Sequence, residues 1–541
     1  MRFLLFLLYA LLISPVIAAE KSIDVVVYGG TSGGVVAAVQ AARMGRSVVL
    51  IEPSRHLGGL SSGGLSATDI GNKRAIGGVA REFYQRIFRY YAQEEGVWTR
   101  ETFDQYRRRA GGMVDADTMW GFEPHAAEAV FQQMLAEAGV EVALGERLDL
   151  TAGVRKNGAR IVAIAMESGR TVSGRTFIDA TYEGDLMAKA GVGCAVGREG
   201  NAAYGETLAG VQTKNARYHQ FDKTVDPYVT PGDPRSGLLP GVHADGPGKE
   251  GEGDRRVQAY NFRMCLTDVP ENRVPTPKPA NYDPRRYELL LRYLEAGGSP
   301  ALGNPKPMPN RKSDVNNKGA FSTDNIGMNY AFPDGDYATR EKIIAEHRDY
   351  QLGLMWTLAN DRRVPVKLRV HVAAWGLAKD EFTDGGNWPH QLYVREARRM
   401  VSDYVMTERN CRGTRVAEDS IGLAAYTMDS HNVQRYVDAK GHAQNEGDVE
   451  VGGFPPYPIS YRSIVPKAAE CTNLLVPVCL SASHIAYGSI RMEPVFMVLG
   501  QSAATAASQA IEKDCDVQAI DYAQLRERLL KDKQILAWRA Q

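Results

Sequence analysis

The chain has 541 residues, too many for one small core, and its 44% hydrophobic and 24% charged content describes a folded globular protein, not a disordered one. Lys plus Arg and Asp plus Glu both total 64, so the formal net charge is zero. That balance speaks against nucleic acid or an anionic membrane surface as partner and says nothing of a substrate.

The first residues differ in kind from the rest. Arg2 is the only charge before an apolar run from Phe3 to Ile13, followed by Ser14, Pro15 and the small-residue segment Val16-Ile17-Ala18-Ala19. A positive end, an apolar stretch of roughly 7–15 residues and an alanine-rich cut site describe a secretory signal. A spanning helix needs about 20 apolar residues, and Glu20-Lys21 arrives too soon. Residues 1–19 therefore read as a signal peptide cut after Ala18 or Ala19. The mature protein is expected in the periplasm or outside the cell, without an integral membrane segment. Six cysteines (Cys194, Cys265, Cys411, Cys471, Cys479, Cys515) show no CxxC and no zinc spacing, so no metal is expected. Export permits disulfides, nothing selects a pairing, and buried free thiols are an equal reading.

The mature chain opens with Ile23-Asp24-Val25-Val26-Val27-Tyr28, a β-branched run that predicts a buried parallel strand. Gly29-Gly30-Thr31-Ser32-Gly33-Gly34 follows, then an alanine-rich helix from Val35 to Met44 stopped by Gly45, then the strand Ser47–Ile51 ending at Glu52. This is a βαβ unit for a dinucleotide. Gly29 permits the tight turn, Gly34 lets helix and strand approach, the N–H groups at the helix start (Ser32, Gly33) receive a pyrophosphate, and Glu52 takes the ribose. Thr31 stands where the second glycine of GxGxxG belongs; its Cβ limits the approach to phosphate, while its hydroxyl is a possible donor. Beyond Glu52 the Gly58-Gly59 doublet resembles the one that runs along FAD in flavoproteins of the glutathione-reductase-like superfamily.

Further along, the helix Ala126–Ala138 leads to the strand Val140–Leu144, with Val142 placed beside the cofactor. Strand-like runs follow at Leu148–Val154, Ile161–Glu167 and Arg170–Ile178, joined by Asn157-Gly158 and Ser168-Gly169 as hairpin turns. The last runs into Asp179-Ala180-Thr181-Tyr182-Glu183-Gly184-Asp185, similar to the second flavoprotein signature, where small Ala180 and Thr181 let backbone pass close to the cofactor. Near the other end, the apolar run Leu474–Leu480 precedes the segment Ser481–Arg491, with Gly488 within it, and then Glu493-Pro494 opens an alanine-rich helix. That helix N-terminus suits the N1–O2 edge of a flavin.

The segments GGTSGG, IEPSRHLGG, FIDATYEGD, VQAYNFRMCLT, LYVREARRM, EDSIGLAAYTMDSH and ASHIAYGSIRMEP together resemble a family of FAD-dependent oxidoreductases, often secreted in bacteria and sometimes labelled xanthan-lyase-related. The resemblance implies an α/β fold: a Rossmann-like FAD-binding domain with a parallel sheet and β-meander, plus an inserted α+β substrate domain. The expected division is 20–194 and 461–541 for the two parts of the FAD-binding domain and 195–460 for the substrate domain and active-site loops.

The middle region is rich in Pro and Gly, with one strand-like run at Val257–Leu266 and helices near Pro284–Ala296 and Thr339–Asn360. Asp314–Gly319 superficially suggests a calcium loop, but Lys318 occupies a ligand position and Asn325 replaces the bidentate Glu. Flavin oxidation of an alcohol or amine needs a proton acceptor, and histidines are the natural candidates. His484 is the first choice, on the turn expected to cross the flavin ring, with Arg491 to bind an anionic group and Tyr487 to donate a hydrogen bond. His431 is the second, with Asp429 to orient it. Arg395, Arg398 and Arg399 read as a charged helix face in solvent; His56 is of a type and place that could carry covalent flavin, although noncovalent binding is expected. The leading function is an exported oxidase or dehydrogenase for a small polar or carbohydrate-like substrate, with an unidentified electron acceptor. The alternative is a carbohydrate lyase or eliminase in which FAD is structural or only transiently redox-active.

Overall fold

The valines of Ile23–Tyr28 are excluded from water on both faces, and they form β1, the centre of a seven-stranded sheet. This is a computed structural model describing residues 22–93, 96–299 and 305–539; the expected signal peptide lies outside the described residues. On one side β1 pairs in parallel with β2 (Val48–Glu52), Val27 opposite Leu50, and β2 pairs with β3 (Glu141–Leu144), Leu50 opposite Val142. On the other side lies β6 (Thr171–Asp179), with Val27 opposite Ile178. β4 (Val154–Asn157) and β5 (Arg160–Ala165) form an antiparallel meander onto the start of β6. β7 (Leu474–Leu475), from the far end of the chain, pairs in parallel with the end of β6. The protein is thus α/β, with the expected parallel sheet and meander.

One strand of the meander is displaced: the expected run Leu148–Val154 shares only Val154 with β4. Leu148 makes only an isolated bridge to Met166, and the ladder begins at Val154. The cause is Asp149, whose carboxylate accepts the N–H groups of Thr151 and Ala152 and turns the backbone before it can pair.

Helix α1 (Ser32–Arg43) packs on the sheet beside α2 (Pro124–Ala138) and against α5 (Glu493–Lys513). The α1–α5 contact is closest at Gly33 and Gly500: a Cβ on Gly500 would lie 2.1 Å from the Gly33 carbonyl oxygen. Gly33 therefore serves helix packing. Between α5 and β7 lies α4 (His484–Ile490), a helix where the sequence suggests a turn, and β7 itself stops at Leu475 instead of running to Leu480.

The middle of the chain adds an antiparallel five-stranded sheet, in the order Lys306–Met308, Lys312–Val315, Met264–Thr267, Gly376–Ala378, Arg273–Val274. The helices Glu288–Glu295 and α3 (Tyr337–Asn360) accompany it. The expected strand over Val257–Leu266 is confined to Met264–Thr267. Ahead of it the Gln351 amide of α3 takes both Phe262 backbone groups, accepting its N–H and donating to its C=O, where a neighbouring strand would otherwise sit. Arg398–Met400 is a strand paired with Cys194–Val196, not part of a helix. The six cysteines are free thiols, and no helix among the described residues is long and apolar enough to cross a membrane.

Candidate active site

At the end of β1, Gly29 turns with φ of 103°, a conformation that L side chains rarely adopt. A Cβ there would stand 2.7 Å from the Thr181 nitrogen, and one on Gly34 would stand 1.8 Å from the Gly29 carbonyl oxygen. The end of β1, the start of α1 and the Ala180–Thr181 backbone thus meet with no side chain between them. Ala180 N–H donates to the Tyr28 carbonyl (2.8 Å), and the Thr31 hydroxyl donates to the Ala180 carbonyl (2.7 Å) while accepting Gly34 N–H as the cap of α1. That settles the odd residue of the GxGxxG pattern: the Thr31 hydroxyl is engaged inside the turn and not held out for a phosphate.

The second glycine pair closes on the first. Gly58 N–H donates to the Gly30 carbonyl at 2.7 Å, and Gly58 and Gly59 both have positive φ. Side chains there would strike the Phe131 ring and the Tyr182 hydroxyl. Glu52, at the end of β2, accepts the N–H groups of Gly30 (2.6 Å) and Ser54 (2.7 Å), and burial pushes its carboxyl up. A carboxylate offers about four acceptor positions, so these two bonds leave capacity for a ribose diol. Tyr28, Gly29, Thr31, Glu52, Thr181 and Glu183 line a cavity of about 300 Å³. Glycines that a Cβ would jam, a helix N-terminus and a ribose acid around one cavity fit FAD.

Tyr182, Leu392 and Val394 are shared with a narrower crevice lined also by Leu60, Tyr393, Arg395, Arg491, Glu493 and Phe496. Glu493, on the first turn of α5, accepts from Tyr182 (2.8 Å) and Ser61 (2.9 Å), and burial raises its carboxyl. Arg491 donates to the Tyr393 hydroxyl (2.8 Å) and to Asp429 Oδ2 (3.3 Å), and Arg395 pairs with Asp324 at 2.9 Å. Both aspartates flank His431. Its Nδ1 is 3.0 Å from Asp324, while its Nε2 is 3.6 Å from Asp429, beyond direct hydrogen-bond contact. Burial works to raise both carboxyls, but Arg395 and His431 hold Asp324 low, and His431 and Arg491 hold Asp429 well below the usual carboxylate range.

Other expected residues sit elsewhere. His484, 2% exposed, lines neither cavity: Glu396 holds Nδ1 at 2.7 Å and Ser430 holds Nε2 at 2.9 Å, so the expected base has no ring nitrogen to offer. Burial opposes it, yet His484 and Arg399 bring the Glu396 carboxyl down to about 2. Tyr487 donates to the Val478 carbonyl (3.2 Å) and is committed to the backbone. Gly488 belongs to packing: a Cβ there would lie 2.6 Å from the Asp429 carbonyl oxygen, so it lets α4 press on the strand that carries Asp429. Val142 is mid-strand in β3 and lines neither cavity, and the Ser32 hydroxyl points to the Glu493 carbonyl (3.5 Å). His56 is stacked on His390 and held between Glu128 and Asp384. Arg395, Arg398 and Arg399, far from being solvated, are buried on Asp324, Asp185 and Glu199. Asp314 of the calcium-like stretch is a buried partner of Arg263 at 2.6 Å. Sequence reasoning missed Tyr393 and Asp324. Tyr393 stood within the quoted LYVREARRM segment; nothing in the sequence marked Asp324.

The model of a family described as FAD dependent oxidoreductase matches residues 24–529. No curated protein matches the chain. Solved structures resemble it only in part. A flavin monooxygenase from Stenotrophomonas maltophilia is 18% identical over 30% of this chain and 38% of that one, with a TM-score of 0.19. The L-proline dehydrogenase from P. horikoshii is 17% identical over 34% and 59%, with a TM-score of 0.23. L-amino acid deaminase from Proteus vulgaris is 16% identical over 34% and 53%, at 0.22. The chain spans less than two thirds of each, and likenesses this weak add nothing to the family match. That match runs through the glycine turn, the Glu52 acid and the helix opened by Glu493, and the chain belongs to the FAD dependent oxidoreductase family, an enzyme with FAD as its cofactor.

Proposed function

We propose that the enzyme is exported and oxidises a small polar alcohol or amine, carbohydrate-like in character, with His431 as proton acceptor. The observation that carries this reading is the His431–Asp324 pair, which lines neither cavity itself but adjoins the crevice through Arg395 on Asp324 and Arg491 on Asp429. FAD, when bound, supplies the two-electron sink for the substrate hydride. Asp324 fixes His431 through Nδ1; the neutral ring takes the hydroxyl or amine proton at Nε2, which faces Asp429 at 3.6 Å, and the two aspartates then hold the imidazolium, the base-plus-orienter logic of acid–base sites. Arg491 and Tyr393, bonded to each other, present one donor face to a substrate oxygen, while Leu60, Leu392, Val394 and Phe496 supply apolar wall beside Tyr182, Arg395 and Glu493. The amino-terminal composition supports export. Amino-terminal sequencing of protein recovered from the periplasm or medium is expected to begin at Ala19 or Glu20.

The test of the chemistry is anaerobic mixing of the FAD-loaded mature protein with sugars, amines and hydroxy acids. Bleaching of the flavin absorbance by one of these classes is expected, and His431→Ala should keep the bound-FAD spectrum while slowing bleaching roughly 10²–10⁴-fold. Near-normal bleaching in that variant removes His431 from the reaction. Product formed without bleaching in the wild type would replace oxidation with elimination.

A further inference from the structure

Taking a charge out of water is costly, and proteins bury one only beside a partner. Arg263, Arg340, Arg395 and Arg399 obey this: each is buried, and each sits on a carboxylate, of Asp314, Asp185, Asp324 and Glu199 respectively. Arg435 is 3% exposed and meets no carboxylate among the described residues. Its Nε donates to Asn445 Oδ1 (3.1 Å), its Nη2 donates to the Ala320 carbonyl (3.2 Å), and its guanidinium lies 4.7 Å from the centre of the Phe321 ring. Burial pushes its pKa down, opposed by the Tyr350 phenol and by no carboxylate.

The third nitrogen, Nη1, has no hydrogen-bond partner among the described residues, and it points at a cavity. A Cβ on Gly241 would be 3.7 Å from it, and Gly241 and Arg435 both line a cavity of about 250 Å³. Asn325 lines the same cavity, and its buried Nδ2 is without a partner. The other charges on the lining are spoken for: Arg286 pairs with Glu346 at 3.4 Å and Asp283 with Arg285 at 2.8 Å. One positive charge and one amide donor remain, beside walls of Phe321, Ile326, Met328 and Tyr350.

We propose that this cavity binds the carboxylate of a small organic acid, with Arg435 Nη1 and Asn325 Nδ2 as donors and the aromatic walls against its apolar body. One unspent cation calls for a monoanion, because a doubly charged phosphate would also face Asp283 and Glu346. The site is distinct from the FAD cavity and does not rest on the reading of His431. It does touch the same segment: Asp324 reaches His431, and the next residue, Asn325, reaches the cavity.

The test uses FAD-loaded mature protein with benzoate, acetate and inorganic phosphate, followed by calorimetry and thermal melting. Benzoate is expected to bind at one site per chain and raise Tm. Arg435→Gln should retain bound FAD and lose benzoate affinity at least tenfold; Asn325→Ala should lose less. Without any anion, Arg435→Gln should melt no lower than the wild type, since it removes an unpaired buried charge, whereas Arg263→Gln should melt lower. Four results would overturn the proposal: no carboxylate binding, binding that survives in Arg435→Gln, preference for phosphate over both carboxylates, or an Arg435→Gln melting loss as large as that of Arg263→Gln.

Discussion

In the cradle at the end of β1, Gly29 and Gly34 bring backbone against backbone and Gly58 and Gly59 leave room for Phe131 and Tyr182, whereas the interior around His431 is filled with Arg395, Arg491, Asp324 and half-buried Asp429. The first region works through the absence of side chains, and its contacts come from short stretches of chain. The second works through opposite charges carried in from distant segments. Damage should therefore differ in kind. A change in the cradle should cost the cofactor, while a change in the charged interior should cost stability, and the chemistry as well where a ring nitrogen is left free for it.

Gly34→Ala should have the largest effect. The new methyl would lie 1.8 Å from the Gly29 carbonyl oxygen, so the turn or the helix has to move, and neither has space. Loss of FAD from the purified protein is expected, measured by absorbance after extraction. A variant that retains stoichiometric FAD would show that the turn is looser than its contacts imply.

The two histidines make the second comparison. His431→Ala should slow flavin reduction by two to four orders of magnitude, and because it also takes the imidazole from buried Asp324 it should lower the melting temperature. His484→Ala should share the loss of stability but not the loss of rate. It leaves Glu396 without its imidazole partner, and breaking a buried pair costs about 3–5 kcal/mol, read as a lower melting point with reduction near the wild-type rate in the folded fraction. Slowed reduction in His484→Ala beside near-normal reduction in His431→Ala would restore His484 as the base.

The cradle was legible in the sequence because its information is local. A strand, a glycine turn, an alanine-rich helix and a second strand ending in Glu52 occur in succession, each with its own residue signature. The charged interior was not, for a physical reason. His431 meets Asp324 across 107 residues, and Arg398 meets Asp185 across 213, so the partner that turns a solvent-exposed charge into a buried pair is invisible from either side. Arg395, Arg398 and Arg399 thus read as a wet helix face. His484 misled differently: its place ahead of the last helix was read rightly, but Ser430 and Glu396, which occupy its two nitrogens, come from elsewhere in the chain.

Glu52→Ala tests the cradle more gently. The carboxylate holds Gly30 and Ser54 N–H groups and has acceptor capacity left for a ribose hydroxyl. A charged hydrogen bond of this type contributes on the order of 1.5–3 kcal/mol, so FAD affinity should fall about ten- to a hundredfold with the fold intact. Unchanged affinity in a titration would take the ribose away from Glu52.

The smallest expected effect lies where the two regions meet. Glu183 follows the Ala180–Thr181 crossing and lines the FAD cavity, and burial, with Asp185 adding to it against the pull of Arg340, raises its carboxyl to about 7. An unfolded chain returns it to the ordinary glutamate range near 4.5. The folded state thus holds this proton more tightly than the unfolded one, so stability falls as pH rises from the unfolded value through about 7, and is flat above. Asp179, raised to about 6 by burial, slopes the same way, so the informative quantity is the difference between wild type and Glu183→Gln. In FAD-free protein melted between pH 5 and pH 8, the wild type should lose more stability than the variant, and FAD, whose pyrophosphate brings negative charge into the same cavity, should bind the wild type less tightly at the upper end. Identical pH dependence in the two proteins would mean that Glu183 is already ionised throughout, and that water reaches it more freely than a cradle closed by backbone contacts allows.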